Sequence, residues 1–445
     1  MASDLISIAR SGTRTARQAL DITANNIANA SSEGYVRRSA QLNEVLATGG
    51  LSAVGNLSLS GVRLNAVIRN ADAFRQSEVR RTGSDLARAN AELSGLSHIE
   101  GALEQSGPYD AVVEFEAALN RLASDPVDRS LREAALEAAR GMAETFNLAD
   151  AALTAAGDGI GFEAAAGVDQ VNLLTGELAT INLKLARSAG GSGVQAARLD
   201  RRDLLLGLLS KKIGIHAQIA PDQTVQIRVG SAGGPTLLNG SAASALTMTS
   251  GADGTLSFAV GVAGFVPAAG SLAGHALAMD ELADVKERLD ALAMGVADAA
   301  NDAQANGAAL DGSVGAPMFG GTGAGDMALV LGDGAMIATA PAGSPAGSRD
   351  GSNLAALSAA LSAGGAAAGL DELLFDVSAM VNGRTVTRDT LASIADNASI
   401  ALQSQAGVDL DEEAVNLVRF QQAFQASGRV MQVAGDLFDT ILGIR

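Results

Sequence analysis

The hydrophobic pattern is most regular at the two ends of the chain. Leu410, Leu417, Phe424, Met431 and Phe438 recur every seven residues. A second row three residues on holds Phe420, Ala434 and Ile441, and is interrupted by Glu413 and Ser427. This a/d spacing predicts a helix with a narrow seam, the kind that packs against another helix. A weaker stripe of the same kind runs through Ile6, Ala9, Thr13, Ala16, Leu20, Thr23 and Ile27. Two narrow-seam helices at opposite ends are expected to meet, with the middle of the chain looping out and back. The pattern points to an assembly protein.

Between the ends the period changes several times. Helix is predicted for 4–29, ending where Asn, Ser and Gly accumulate at Asn29–Gly34. Residues 57–68 alternate as a strand through Leu57, Leu59, Val62, Leu64 and Val67. Helices are predicted at 72–105, 110–123, 128–189 and 195–213, with Gly157, Gly159 and Gly161 expected to weaken or break the third. Ile215, Ala217 and Ile219, then Val225, Ile227 and Val229, read as a hairpin turning at Pro221-Asp222 and opening a strand-rich stretch to about Val266. Helix returns at 277–305. Residues 306–350 are Gly-rich and irregular, and helices resume at 351–362 and 385–405. The Ala- and Gly-rich 340–370 region reads as a loop between helices. Asp409 is placed to cap the last helix, with Glu412 completing a capping box.

The fold class read from this order is mainly α with a β-rich insert, in an elongated, multi-domain chain. An inner coiled-coil domain is expected from 1–56 with 400–445, a helical middle domain from 57–213 with 267–399, and a small β-rich outer insert from 214–266.

Composition removes several functional classes. The net charge is −18, with 49 acidic and 31 basic residues, so neither nucleic acid nor an anionic membrane surface is an expected partner. Aromatics are 3% and Trp is absent, so no aromatic-lined pocket is advertised. The absence of Cys excludes disulfides and thiolate chemistry. His98, His216 and His275 have no companion at ligand spacing, so no metal is expected. The run Gly321–Gly325 looks like a phosphate loop but lacks the Lys-Ser/Thr ending, and reads as a flexible loop. Asp411, Glu412 and Glu413 suit the positive end of a helix better than a catalytic cleft. No cofactor and no enzyme activity are expected. Asp4 stands where a signal peptide carries basic residues, and the apolar stretch Leu354–Leu370 is too rich in Ala, Ser and Gly for a membrane span.

Two terminal segments carry a resemblance. ALDITANNIANASSEGYVRR (19–38) resembles the N-terminal signature of flagellar axial proteins, which build rod, hook and hook–filament junction. EEAVNLVRFQQAFQASGRVMQVAGDLFDTIL (412–442) narrows it to the hook-associated family at the junction. Interior stretches agree: LDRRDLLLGLLSKKIGIHA (199–217), DQTVQIRVGSAGGPTLLNG (222–240), the spacing Asn301, Asn306-Gly307, Asp311-Gly312 and Phe319, and Asp350-Gly351-Ser352-Asn353. Glu33 and Arg38 depart from the Pro and Gln of many relatives, and the chain is shorter than many family members.

The resemblance implies a structural subunit, exported through the flagellum's own type III channel without a cleaved signal peptide. Its terminal helices would be disordered when free and would pair on assembly into a ring at the distal end of the hook. The implied partners are other copies of itself, the hook protein below, the second junction protein above and an export chaperone on the C-terminal helix. The expected subunit-interface residues are Ile6, Thr13, Leu20, Asn25, Asn26, Ile27, Asn29, Leu410, Leu417, Phe420, Phe424, Met431, Phe438 and Ile441. For Asn25, Asn26 and Asn29, capping or fraying of the helix end stands beside hydrogen bonding across a packed tube. Rival readings are another axial component (distal rod or second junction protein) and a secreted enzyme carrying axial-type ends.

Overall fold

A computed structural model describes residues 2–47 and 58–443. It is mainly helical with small β-sheets, and the chain forms two compact units that it enters more than once. The first unit comprises residues 1–85, 170–246 and 392–445, and the second 86–169 and 247–391. The expected boundary at 56/57, with Leu57, lies outside the described residues, as do the side chains of Leu59 and Ile441.

In the first unit, helix α1 (Ala2–Ala28) is followed by a long antiparallel hairpin of β1 (Arg38–Ala47) and β2 (Ser58–Arg69). Strand β1 has only a short sequence signal, because the alternation of Ala40 and Leu42 with Ser39, Gln41 and Asn43 ends at Glu44. It is fixed by its pairing with β2, whose Val62 is hydrogen-bonded to Ser11 and Thr15 of α1. Helix α2 (Ala73–Ser106) then leads into the second unit.

That unit is a helical core. Parts of α2, α3 (Pro108–Ser124) and α4 (Arg129–Ala186) are joined there by later helices of the chain. Buried Ile99, Phe115, Leu119, Phe146 and Leu153 form its centre, with Phe115 edge-on to Phe319 at 5.9 Å.

Helix α4 runs unbroken through Gly157, Gly159 and Gly161, contrary to the expected break. Each glycine costs about 1 kcal/mol of helix stability, but burial of Phe146, Leu153, Ile160, Val171 and Leu178 along the same helix outweighs that cost. Gly157 also has a packing reason, since a Cβ there would lie 2.6 Å from a Leu282 methyl.

Helix α5 (Gly193–Lys212) precedes the expected hairpin, formed by β3 (Ile215–Ile219) and β4 (Val225–Val229). With β5 (Thr236–Asn239) and β6 (Ala242–Ala243) these make one four-stranded sheet. Two asparagines of α4 hold this region: Asn182 bonds Val225 and Gly240, and Asn172 bonds both backbone groups of Leu246. A second sheet, of β7 (Leu246–Ser250), β8 (Leu256–Val260) and β9 (Ala263–Phe265), follows.

Helix α6 (Ser271–Ala305) supplies Leu282, Val285, Leu289 and Val296 to the second unit's core. The Gly-rich 306–350 segment has little regular structure but is firmly held. Buried Arg132 donates to the carbonyls of Pro126, Gly334 and Ile337 and to Thr339, and burial lowers its pKa. Asn301 clamps Met318 and Phe319, and Asn353 bonds the carbonyls of Ala303 and Ala338. The Gly321–Gly325 run is a hydrogen-bonded turn, not a flexible loop: Asp326 accepts from Thr322 and Gly323, and Asp290 from Ala324.

The chain ends with α7 (Ser352–Gly364), α8 (Ala366–Ala406) and α9 (Leu410–Gly443). Helix α8 begins well before the expected 385, because Leu370, Leu373 and Val377 are buried in the core. A window within 352–440 has the mean hydropathy of a membrane span, 1.3. Buried Leu354, Leu357, Leu361 and Leu370 account for the apolar residues of α7 and the start of α8.

The glycine packing is testable. A Cβ on Gly274 would meet the Arg88 carbonyl at 2.3 Å and the Glu92 nitrogen at 2.7 Å, whereas Gly159 has open space. Urea unfolding is expected to show Gly274→Ala destabilising by about 1–3 kcal/mol. Gly159→Ala is expected to stabilise by about 1 kcal/mol. Equal effects would contradict the close approach of α6 to α2.

Candidate assembly interface

Helices α1 and α9 lie side by side in the first unit. Gly12 faces Ser427, whose Oγ would be 2.7 Å from a Cβ at that position. Ala19, Ile22 and Thr23 share a cavity with Asn416, Arg419 and Phe420, so the pair is antiparallel. On α1 the buried positions are small or polar (Ala9, Thr15, Ala16, Ala19, Thr23), which permits close approach.

The row of α9 that turns inward is the interrupted one. Glu413 and Ala434 are buried, Phe420 is half-buried and Ser427 meets Gly12. The strict seven-residue row is the more exposed of the two. Leu410, Phe424 and Phe438 are 54%, 38% and 46% exposed, and Leu417 and Met431 are half-buried. Val415, Val418, Val430, Val433 and Leu437 are exposed beside them. On α1, Ile6, Thr13 and Leu20 are half-buried, and Ile27 is 37% exposed.

The three asparagines divide. Asn26 is buried and closes the loop after α1: its amide donates to Arg38 O at 2.8 Å, and its Oδ1 accepts from Arg38 N and the Tyr35 hydroxyl. Asn25 is exposed and Asn29 half-buried, and each donates to a carbonyl one turn back.

Glu413 interrupts the apolar row in sequence, and Arg37 lies 376 residues before it. The structure joins them. Arg37 donates from Nε to Glu413 at 2.7 Å and from Nη2 to Glu412 at 2.7 Å, while its backbone N–H bonds Ala406. Burial pulls the guanidinium pKa down, but the bonds to Glu413 and Glu412 outweigh it and hold the pKa above its ordinary value. Asp409 caps α9 through the Asp411 and Glu412 amides, as expected. Glu412 turns to Arg37 and does not complete the capping box with its own helix.

A second ionic network ties the hairpin to α5. Asp200 takes Arg38 and Arg69, and Asp203 takes Arg69, Arg202 and Gln76. The 199–203 motif is therefore a structural clamp. Burial pushes the Asp203 carboxyl up, and Arg202 and Arg69 overcome this to hold it below its ordinary 3.8. A folded pKa below the unfolded one contributes stability that is present above about pH 4 and lost as pH falls through the folded value. Thermal unfolding at pH 7 is expected to show Asp203→Asn less stable than the parent, with the gap narrowing toward pH 3. A constant gap would contradict the pairing.

Among the described residues no group of His, Asp and Glu is arranged to hold a metal. His98 and His216 are exposed and His275 is buried. The arrangement is that of a structural assembly subunit whose two chain ends close on each other and keep Leu410, Phe424 and Phe438 exposed.

Comparison with known proteins agrees with that class. The model of the flagella basal body rod protein family matches residues 6–35, and that of the flagellar basal body rod FlgEFG protein C-terminal region matches 402–444. Residues 96–319, half of the chain, match the helical domain of the flagellar hook-associated protein FlgK. The chain belongs to the FlgK family of flagellar hook-associated proteins.

Flagellar hook-associated protein 1 of Escherichia coli (strain K12) is 30% identical over 251 residues, which is 55% of this chain and 44% of that protein. The protein of the same name from Bacillus subtilis (strain 168) is 27% identical over 215 residues, 46% of this chain and 42% of its own length. The matched stretch thus spans less than half of these relatives. The solved flagellar hook junction protein FlgK from Burkholderia pseudomallei aligns with a TM-score of 0.45 at 23% identity, covering 53% of this chain and 46% of that one.

Proposed function

We propose that this chain is a structural subunit of the bacterial flagellum that assembles as a ring at the distal end of the hook, joining hook to filament and passing torque. The observation that carries the reading is the seven-residue row Leu410, Leu417, Phe424, Met431 and Phe438, whose Leu410, Phe424 and Phe438 stay exposed on a helix already paired with α1. A monomer gains nothing from these exposed apolar side chains, whereas a packed assembly buries them.

The proposed subunit interface takes this row with Phe420 and Ile441, and from α1 takes Ile6, Thr13, Leu20, Asn25, Ile27 and Asn29. Asn26 is left out because it is buried and both polar atoms of its amide are taken by Arg38 and Tyr35. Contacts of this kind are heterologous, as a ring requires. The further partners would be the hook protein below, the second junction protein above and an export chaperone on α9. The location would be the extracellular junction, reached by export without a cleaved signal peptide.

Electron microscopy of cells lacking this chain tests the reading. Bare hooks with filament protein shed into the medium are the expected result, and normal filaments would refute it.

A further inference from the structure

The chain contains three Asn-Gly pairs, at 239–240, 306–307 and 382–383. Such a pair can lose ammonia without an enzyme. The backbone nitrogen of the glycine attacks the side-chain amide carbon of the asparagine, and the glycine has no Cβ to obstruct the approach. The reaction needs a side-chain amide free to turn and a glycine N–H that no carbonyl holds. The three pairs differ in both respects.

Asn239 ends β5 and is exposed. It pairs with Ala242 of β6 across a two-residue loop, Gly240-Ser241. Gly240 has φ +59° and Ser241 is outside the left-handed region, so the turn has the II′ form with glycine first. Among the described residues, neither the Asn239 side chain nor the Gly240 N–H makes a hydrogen bond. Both reacting groups are therefore free.

The other two pairs are held. Asn306 is the C-cap of α6, and its amide donates to the Asp302 carbonyl at 2.8 Å. Gly307 is buried, with Asn353 and Ala338 packed against it. Asn382 lies inside α8, where its amide donates to the Ser378 carbonyl at 2.9 Å. The Gly383 N–H is committed to the hydrogen-bond ladder of the same helix.

We infer that Asn239 is a site of spontaneous deamidation, the one Asn-Gly pair of the three that the folded chain leaves reactive. The Gly240 nitrogen bonds to the Asn239 amide carbon, the carbon–nitrogen bond of that amide breaks, and ammonia leaves with the proton from Gly240. The five-membered cyclic imide then takes up water at either carbonyl. One opening gives an aspartate, and the other an isoaspartate whose main chain runs through Cβ. Either product adds a negative charge at the tip of the four-stranded sheet.

The isoaspartate has a further effect inside the first unit. Buried Asn182 donates to the Gly240 carbonyl at 2.7 Å and to the Val225 carbonyl at 2.8 Å. An extra backbone atom directly before Gly240 displaces its carbonyl and strands a hydrogen of the Asn182 amide in a buried place. The modification thus loosens one of the two asparagine ties between α4 and the β-rich region.

The test is peptide mapping by mass spectrometry of the full-length chain aged in mildly alkaline buffer. Conversion at 239 to a mixture of aspartate and isoaspartate is expected, while 306 and 382 keep their amides. In urea all three should convert, since the fold no longer holds the other two. Asn239→Gln, whose longer side chain disfavours ring closure, should abolish the change at 239, and circular dichroism checks that it is folded. Retention of the amide at 239 in the folded chain, or an equal rate at all three sites there, overturns the inference. So does a failure of urea to release 306 and 382. Thermal unfolding then compares the aged isoaspartate fraction with Asn239→Asp, which carries the same charge on a normal backbone. The aged fraction is expected to melt lower, and equal melting would overturn the effect on Asn182.

Discussion

Phe424→Asp leaves both units folded and abolishes assembly. Phe424 belongs to the seven-residue row and is 38% exposed, whereas Glu413 and Ala434 of the row that packs on α1 are buried. Its effect on the stability of the single chain is expected to be about 1 kcal/mol, as for a typical point substitution. In the assembly the same position carries an unpaired carboxylate into an apolar contact, at a cost of several kcal/mol. About 3 kcal/mol corresponds to a loss of roughly a hundredfold in association, multiplied over every subunit of the proposed ring. Complementation of a deletion strain provides the measurement. Cells expressing the variant should make hooks and no filaments, and normal filaments would contradict the interface assignment.

The second large effect is expected inside the chain. Arg37→Met removes the only cation bonded to the buried Glu413 among the described residues. Truncating one partner of a buried pair costs about 3–5 kcal/mol, and the partial exposure of Arg37 puts this case at the low end. The loss falls on the first turns of α9, which Arg37 also holds through Ala406. Hydrogen exchange should show faster exchange across 409–420, with the second unit unchanged. The double variant Arg37→Met/Glu413→Leu should recover most of the loss, because the stranded charge is gone. Slow exchange in the single variant would show that the pair contributes little.

These two cases mark how far the sequence was legible. The helices, their rough ends, the hairpin at 215–229 and the Asp409 cap follow from local patterns, since period, turn chemistry and capping act within a few residues. The 19–38 and 412–442 motifs pointed to the family, and the rod-protein models match residues 6–35 and 402–444. The unbroken α4, the strand Arg38–Ala47 and the order in 306–350 were not legible. In each case a distant group decides: packing along α4, the Val62 contacts with Ser11 and Thr15, and Arg132 reaching from α4 into the Gly-rich segment.

The sequence by itself determined that the two ends are amphipathic helices with rows at seven-residue spacing, since that depends only on helical periodicity. The tertiary structure decided which row is used where. The interrupted row packs on α1 because Gly12, Ala16 and Ser427 allow the backbones close together and Arg37 neutralises Glu413. The uninterrupted row, which looks the stronger seam in sequence, keeps Leu410, Phe424 and Phe438 exposed, because the small and charged residues fit the internal contact better.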